Sequence, residues 1–308
     1  MATANAFDFK LFRRLLEFTK PYRLVFYFVA FTALILSGLA ILRPYFLERT
    51  IDESIIPRDS SGLIYFIVIM LGVLVLEVIF QFSFIFYANW LGQHIIKDLR
   101  ISLFDLMMRF KMKYFDTSSV GRLTTRAVND IETISSIFSQ GLFMIIADLL
   151  KMAAIATFML YQSWRLSLIV FVILPLILVA TRVFQRAMKV AFEEVRAQVA
   201  NLNSFVQERI TGMKIVQVFA REQTEYKQFF AINEKHKKAW IKTVWYNSIF
   251  FPIAEMASSV AIGLLVWFGG LNAAANGVIT LGLVVAFIEL AQMLFRPLRQ
   301  IADKFNTL

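Results

Sequence analysis

The chain has 308 residues, of which 58% are apolar, and it carries a formal net charge of +10. A soluble domain does not have a mean hydropathy of +0.65, so the composition indicates an integral membrane protein. The absence of Cys excludes disulfides and thiolate metal sites. The positive charge does not predict nucleic-acid binding, because no basic face with interleaved aromatic residues lies outside the apolar runs.

The N-terminal segment, residues 1–23, precedes the first apolar run. Within it, residues 6–20 alternate Leu and Phe with Lys and Arg, the pattern of an amphipathic helix lying on a membrane surface. Pro21 separates this segment from the run that follows, which favours a surface helix over a ragged start to the first span. That first run is too long for a signal peptide and lacks a small-residue cleavage site.

Six apolar runs are long enough to cross a bilayer. The predicted spans are 24–47, 63–90, 139–160, 165–183, 248–269 and 279–297. The two termini and the two long connections together hold 26 Lys or Arg, whereas the three short connections between them hold three. Basic residues concentrate on the cytoplasmic side of membrane proteins. The sequence therefore predicts cytoplasmic termini and two cytoplasmic loops, residues 91–138 and 184–247, in a multi-pass protein of the cell membrane.

Each long connection continues the helical period of the apolar run before it. In the first, the apolar positions are Ile96, Leu99, Leu103, Leu106 and Phe110, spaced by three and four residues. They predict an unbroken helix of roughly 48 residues from near Leu63, about 70 Å long at ~1.5 Å per residue. A bilayer core is only about 30 Å thick. The chain is thus predicted to be an all-α membrane protein whose helices project into water and keep an apolar seam for a neighbour.

Each excursion must also reverse its direction, and residues that favour turns mark where. In the first excursion such residues cluster at 116–121, and in the second Gly212 interrupts a helical pattern at 210–215. Each excursion is therefore predicted to consist of two long antiparallel helices with a short element at the tip, far from the membrane.

Three acidic residues lie inside the predicted spans. Glu77 is near the middle of the second span, Glu255 in the inner part of the fifth, and Glu289 in the sixth. An isolated carboxylate in a membrane is costly, so each is predicted to face a cavity or a partner. One interpretation is a site for cationic amphipathic molecules. The structural alternative is a protonated or hydrogen-bonded carboxyl between helices.

Other charged side chains near the spans have simpler interpretations. Arg43 is predicted to extend to the outer boundary or to pair with Glu48. Asp148 and Lys151, one turn apart, are predicted to pair or to reach the inner headgroups. No catalytic, cofactor-binding or metal site is predicted in the chain.

Four motifs in this order resemble exporter-type ABC transporters. Residues 114–134 are similar to the first intracellular loop, and residues 207–225 to the second. Residues 164–176 match the start of the fourth span, and residues 295–301 the end of the sixth. The first loop matches the family pattern at Phe115, Gly121, Leu123, Thr125, Arg126 and Asp130, and the second at Glu208, Gly212, Val216, Phe219 and Glu222. The resemblance covers nearly the whole chain and is greatest to the bacterial multidrug and lipid-flippase branch.

The resemblance implies that residues 1–308 form a type-1 exporter transmembrane domain in a domain-swapped homodimer or heterodimer. Short coupling helices at the loop tips would dock on ATPase domains, and alternating access would export amphipathic or lipid-like molecules across the lipid bilayer. The coupling residues it implies are Phe115, Asp116, Thr117, Ser118, Ser119 and Gly121 in the first tip, and Ile210, Thr211, Gly212, Met213, Lys214 and Ile215 in the second.

One departure from this family is large. The phosphate-binding pattern G-x-x-x-x-G-K-[ST] is missing, so the ATPase domain that binds ATP and Mg is expected either to be cut from this chain or to be a separate polypeptide. The alternative reading is a membrane scaffold or regulatory protein that uses the same fold without an ATPase. A passive channel is disfavoured, because no polar stripe runs along several spans.

Overall fold

The structure is a computed structural model that describes residues 19–132, 143–275 and 279–304. The predicted surface helix falls mostly on residues 1–18, outside these ranges. The described residues form nine α-helices, which are α1 (Arg23–Thr50), α2 (Ser60–Met108), α3 (Met112–Thr117), α4 (Val120–Thr125), α5 (Phe143–Gln162), α6 (Trp164–Thr211), α7 (Met213–Val218), α8 (Glu222–Ala274) and α9 (Leu281–Lys304). A short 3-10 turn, Lys20–Tyr22, precedes α1, and π-helical turns follow α1 at Ile51–Ile55 and α4 at Arg126–Asp130.

Six of these helices are long and apolar enough to cross a membrane, namely α1, α2, α5, α6, α8 and α9. This confirms the predicted all-α fold with six spans. Helices α2, α6 and α8 have 49, 48 and 53 residues, and each is therefore more than 70 Å long at ~1.5 Å per residue. Each exceeds the thickness of a bilayer core by tens of ångströms. The positions of the membrane boundaries within these helices stay predictions.

Two hydroxyl groups of α1 bond to the backbone of their own helix. Thr32 Oγ1 donates to the carbonyl of Val29 at 2.8 Å, and Ser37 Oγ donates to Ala33 at 2.8 Å. These bonds satisfy the hydroxyl within its own helix, where no water is available. They explain how α1 accepts buried polar residues without a polar partner.

The described residues divide into two compact units. The first comprises those within 1–164 and 272–290, so it contains α1, α2, α5 and the start of α9. In this unit α1 packs on α2 and α5. Its core consists of Val29, Ala33, Phe84, Ala88, Leu91, Ile95 and Phe143.

The second unit comprises residues 165–271 and 291–308 and is built on α6 and α8. Phe184 and Phe250 stack with ring centroids 4.1 Å apart, and Met188 and Ala254 complete this core. Further from the predicted spans, Lys242 Nζ contacts Glu194 Oε2 at 2.8 Å. The two helices are therefore antiparallel neighbours along their length.

The connection between α1 and α2 ends in a capped helix start. Asp59 accepts hydrogen bonds from the Ser61 side chain at 2.6 Å and from the Ser61 N–H at 3.0 Å. These bonds, with one from the Gly62 N–H, hold the pKa of the Asp59 carboxyl below its usual value. The ionised Asp59 cap therefore stabilises the folded chain at neutral pH. This stabilisation is lost as the pH falls through the lowered pKa of the carboxyl.

Candidate functional site

The first tip is a short helix between two extended residues. Helix α3 includes Phe115, Asp116 and Thr117, which the sequence had placed in or beside a turn. Thr117 Oγ1 donates to the Lys113 carbonyl at 3.1 Å, so this hydroxyl supports the helix instead of the turn. Lys111 before α3 and the buried Ser118 after it both have an extended backbone. The direction of the chain therefore changes on both sides of α3, between α2 and α4.

The second tip is α7, which Gly212 precedes at the N-cap position. The predicted coupling residues of this tip lie in two different helices. Ile210 and Thr211 end α6, whereas Met213, Lys214 and Ile215 lie in α7. The interruption at Gly212 is present, but the chain does not complete its reversal there.

Ala220 completes the second reversal of the chain. The sequence had predicted this reversal at residues 210–215 instead. The Ala220 φ of 48° is in the left-handed region, which costs a residue with a Cβ roughly 1 kcal/mol. The Ala220 N–H donates to the Gln217 carbonyl at 3.1 Å, and the Arg221 N–H donates to Val216 at 2.9 Å. These bonds close the end of α7 and turn the chain into α8. No Gly or Pro marks the position, so composition gave no signal.

The surface of the second tip is apolar. Ile210, Ile215, Val218 and Phe219 have exposed fractions of 64% to 71%. A cavity of about 300 Å³ lies beneath them, with Phe205, Met213 and Phe229 among its lining residues. Four exposed apolar side chains at the end of a water-exposed helix pair indicate a surface that a partner covers.

A buried ion pair fixes the base of this tip. Arg209 Nε on α6 lies 2.5 Å from Glu225 Oε2 on α8, and only 13% of the Glu225 side chain is exposed. The Arg209 guanidinium also lies 5.1 Å from the centroid of the Phe205 ring. The pair joins the two long helices directly below α7. Neither residue was predicted from the sequence as part of the site, although they flank the tip from opposite sides.

The three candidate acids have different surroundings. Glu289 on α9 forms an ion pair with Arg43 on α1, whose Nη2 lies 2.5 Å from Glu289 Oε1. Glu77 is half-buried on α2 and makes no hydrogen bond or ion pair with another described residue. Glu255 is exposed on α8, in the other unit. Arg43 therefore neutralises the charge of Glu289, whereas no described residue neutralises that of Glu77.

Arg43 consequently does not have the partner that the sequence suggested. Glu48 instead accepts a hydrogen bond from Gln162 Nε2 at 2.7 Å, which joins α1 to α5. The sequence offered Glu48 as a partner, or an extension of Arg43 to the outer boundary of the membrane. In the structure the partner of Arg43 is Glu289, which is 246 residues away in the sequence. The spacing of nearby residues cannot predict such a contact.

The ends of α1 and α9 approach closely. Asp52 Oδ1, in the π-helical turn after α1, accepts a hydrogen bond from the Gly282 N–H at 2.9 Å. A Cβ at Gly282 would lie 2.5 Å from the Glu48 carbonyl oxygen and 2.7 Å from Asp52. Only Gly fits this contact. Asp52 thus caps the first turn of another helix, a role that sequence spacing did not reveal.

The fold and the tips together define a helical membrane domain in which spans continue into helix pairs ending in short terminal helices. The chain belongs to the ABC transporter transmembrane region family, whose model matches residues 26–298.

Its relatives include proteins of bacteria. The ABC transporter ATP-binding protein YknV of Bacillus subtilis (strain 168) is 29% identical over 297 residues, covering 96% of this chain and 49% of that protein. An ATP-dependent lipid A-core flippase of Psychrobacter arcticus is 27% identical over 303 residues, covering 98% of this chain and 50% of that protein. The chain spans about half the length of the curated relatives it matches.

Proposed function

We propose that this chain is the membrane-spanning half of an ATP-driven exporter, coupled to an ATPase domain through its two tips. The observation that carries the proposal is the second tip. It presents an exposed apolar surface on α7, held by the buried Arg209–Glu225 pair at the end of helices of 48 and 53 residues. A rigid helix pair of this length transmits a displacement at its tip to the membrane.

The ATPase domain, fused or separate, binds ATP and Mg, and its closure moves the tips. Helix α3 and residues 118–121 form the first docking element, and residues 210–215 with the rest of α7 form the second. Ile215, Val218 and Phe219 supply the apolar anchors of this interface, because each is a large apolar side chain with an exposed fraction of at least 64%. The movement of α6 and α8 changes the access of the membrane cavity from one side to the other.

A second transmembrane domain, as a homodimer or heterodimer, covers the long helices outside the bilayer. Ile241 on α8 lies beyond the predicted spans and is 57% exposed. Its apolar surface favours a protein partner over water.

The substrate is an amphipathic or lipid-like molecule. Four relatives are named ATP-dependent lipid A-core flippase, which supports a lipid-like cargo. Among the acids in the spans, Glu77 is the strongest candidate for attracting a cation, because Arg43 already neutralises Glu289. A carboxylate about 4 Å from a cation has a Coulomb energy of about 4 kcal/mol at an effective dielectric near 20, before desolvation is subtracted.

The test uses the transporter that joins this domain to its ATPase domain, reconstituted in proteoliposomes. Val218→Asp places a charge on the apolar tip surface and is expected to lower ATP-driven transport at least about tenfold, the effect of ~1.4 kcal/mol. Basal ATP hydrolysis is expected to continue, since the tip is outside the nucleotide site. Ala231→Asp, on the exposed side of α8, is the matched control.

Transport that is unchanged in Val218→Asp, and in a further variant with Phe115→Asp, would contradict the coupling role. It would then favour a scaffold protein in which the tips bind a different partner.

A further inference from the structure

A row of basic side chains runs along α6 where this helix leaves its predicted span. Arg182, Arg186 and Lys189 follow one another at spacings of four and three residues, so they share one face of the helix. All three are exposed. None of them forms an ion pair with another described residue. We call these three side chains the basic row.

The basic row is not part of the packing between α6 and α8. The buried positions at the same level of α6 are Phe184, Met188 and Ala191, which lie on the side that faces α8. At about 100° per residue, the basic row is centred roughly 160° around the helix from them. Its charges therefore point away from the core of the unit and contribute nothing to holding the helix pair together.

The register between the two helices places the basic row at the membrane boundary. Phe184 stacks on Phe250, and Glu194 contacts Lys242, so antiparallel pairing brings Trp245 close to the level of Lys189. Trp245 is 64% exposed, and exposed Trp residues concentrate at the interface between membrane and water. The row itself extends about 10 Å along the helix, comparable to the thickness of one headgroup layer.

An apolar strip leads from the bilayer to the basic row. Leu176, Val179 and Val183 lie beside the row on the membrane side and have exposed fractions of 61%, 59% and 62%. The next acid on this side, Glu193, lies one turn beyond Lys189 and forms no ion pair with a described residue. An exposed apolar strip that ends in three unpaired cations complements a molecule with an anionic head and apolar chains.

We propose that the basic row binds the phosphate of an anionic phospholipid whose acyl chains lie along Leu176, Val179 and Val183. The lipid belongs to the leaflet that faces the long helical extensions. This inference depends on the insertion of α6 in a membrane and not on the transport proposal, so the two are tested separately.

The experiment measures lipid binding to the purified chain in detergent by native mass spectrometry. Dioleoylphosphatidylglycerol is expected to bind about tenfold more tightly than dioleoylphosphatidylcholine, because each basic residue near an anionic headgroup contributes several-fold to affinity. The variant R182Q/R186Q/K189Q is expected to reduce binding of the anionic lipid to the level of the zwitterionic one. The variant R182K/R186K, which keeps the charges, is expected to retain it.

The matched control is K214Q/K227Q/K238Q, which removes the same charge from exposed positions of the second excursion. Retained preference for the anionic lipid in this control supports a local site. Equal loss in the control and in R182Q/R186Q/K189Q would overturn the proposal, because net charge alone would then account for binding. Unchanged binding in R182Q/R186Q/K189Q would also overturn it. Glycerol phosphate that displaces the anionic lipid at equal concentration would identify a soluble anion as the ligand instead, and would equally refute the lipid site.

Discussion

At the scale of single residues, two glutamates on different spans have opposite surroundings. Glu289 is paired with Arg43, and 23% of its side chain is exposed, whereas Glu77 has no ion pair with a described residue. Removing a partly buried carboxylate from an ion pair leaves its cation unpaired, whereas a carboxylate without a partner is available to a ligand cation. The two residues are therefore expected to affect stability and specificity differently.

The first prediction compares Glu77→Gln with Glu289→Gln in the complete transporter. Glu77→Gln is expected to reduce transport of a cationic dye about tenfold and to leave a neutral analogue unchanged, because the amide removes the Coulomb attraction. Glu289→Gln is expected to affect both dyes equally and to lower stability by about 1–3 kcal/mol, because Arg43 is left without its partner. Equal loss of both dyes in Glu77→Gln would assign this carboxyl to helix packing.

The second prediction concerns the close contact at Gly282. Gly282→Ala is expected to destabilise the chain by about 1–3 kcal/mol, because the added methyl meets backbone and carboxylate atoms that cannot move freely. Thermal unfolding in detergent, followed by circular dichroism, measures the change. Gly38→Ala is the control, since nothing lies within 4 Å of a Cβ at that position. Equal stability of the two variants would show that α1 and α9 separate easily at this contact.

At the scale of elements, the second tip depends on the pair that joins α6 to α8. Arg209→Ala is expected to destabilise the tip by about 1 kcal/mol, because the Glu225 carboxylate loses its nearer cation and keeps only the longer contact with Arg221, at 3.6 Å. Hydrogen exchange of residues 213–221 is expected to accelerate, while exchange in the middle of α8 stays unchanged. Lys237→Ala, which breaks the exposed pair with Glu234, is the control and is expected to change stability by less than about 0.5 kcal/mol.

A charge exchange separates the role of this pair from the role of either side chain alone. R209E/E225R restores the pair with its charges exchanged. It is therefore expected to recover part of the protection from hydrogen exchange that Arg209→Ala loses. Exchange in Arg209→Ala that is as slow as in the unchanged chain would show that packing around Phe205 holds the tip without the ion pair.

At the scale of the whole molecule, the distribution of basic residues predicts which connections face each side of the membrane. The chain contains no Cys, so single Cys variants report accessibility without a background. In intact cells, a maleimide reagent that does not cross membranes is expected to label Ser60→Cys and Ser163→Cys, in the short connections. Ser119→Cys and Gln217→Cys, at the two tips, are expected to react only after permeabilisation. Labelling of either tip in intact cells would contradict the predicted orientation of the chain in the membrane.

The sequence by itself determined the class of protein, the six spans and the continuation of helices beyond the length of a span. Apolar runs of sufficient length must form helices in a bilayer, because the backbone has no water to bond, and the period of the apolar residues beyond each span reports helices that continue. The motifs at the two tips also carried the resemblance to the family whose model matches residues 26–298. These signals are local or compositional, so one sequence is enough to read them.

Only the tertiary structure decided which residues meet across helices. The partner of Arg43 is 246 residues away, Asp52 caps a helix that begins more than 200 residues later, and Arg209 pairs with Glu225 across a reversal completed at Ala220. Helical periodicity gives the face on which a side chain lies, but not the helix that lies opposite or its register. Those contacts depend on how long helices pack against one another, and packing is a property of the folded chain.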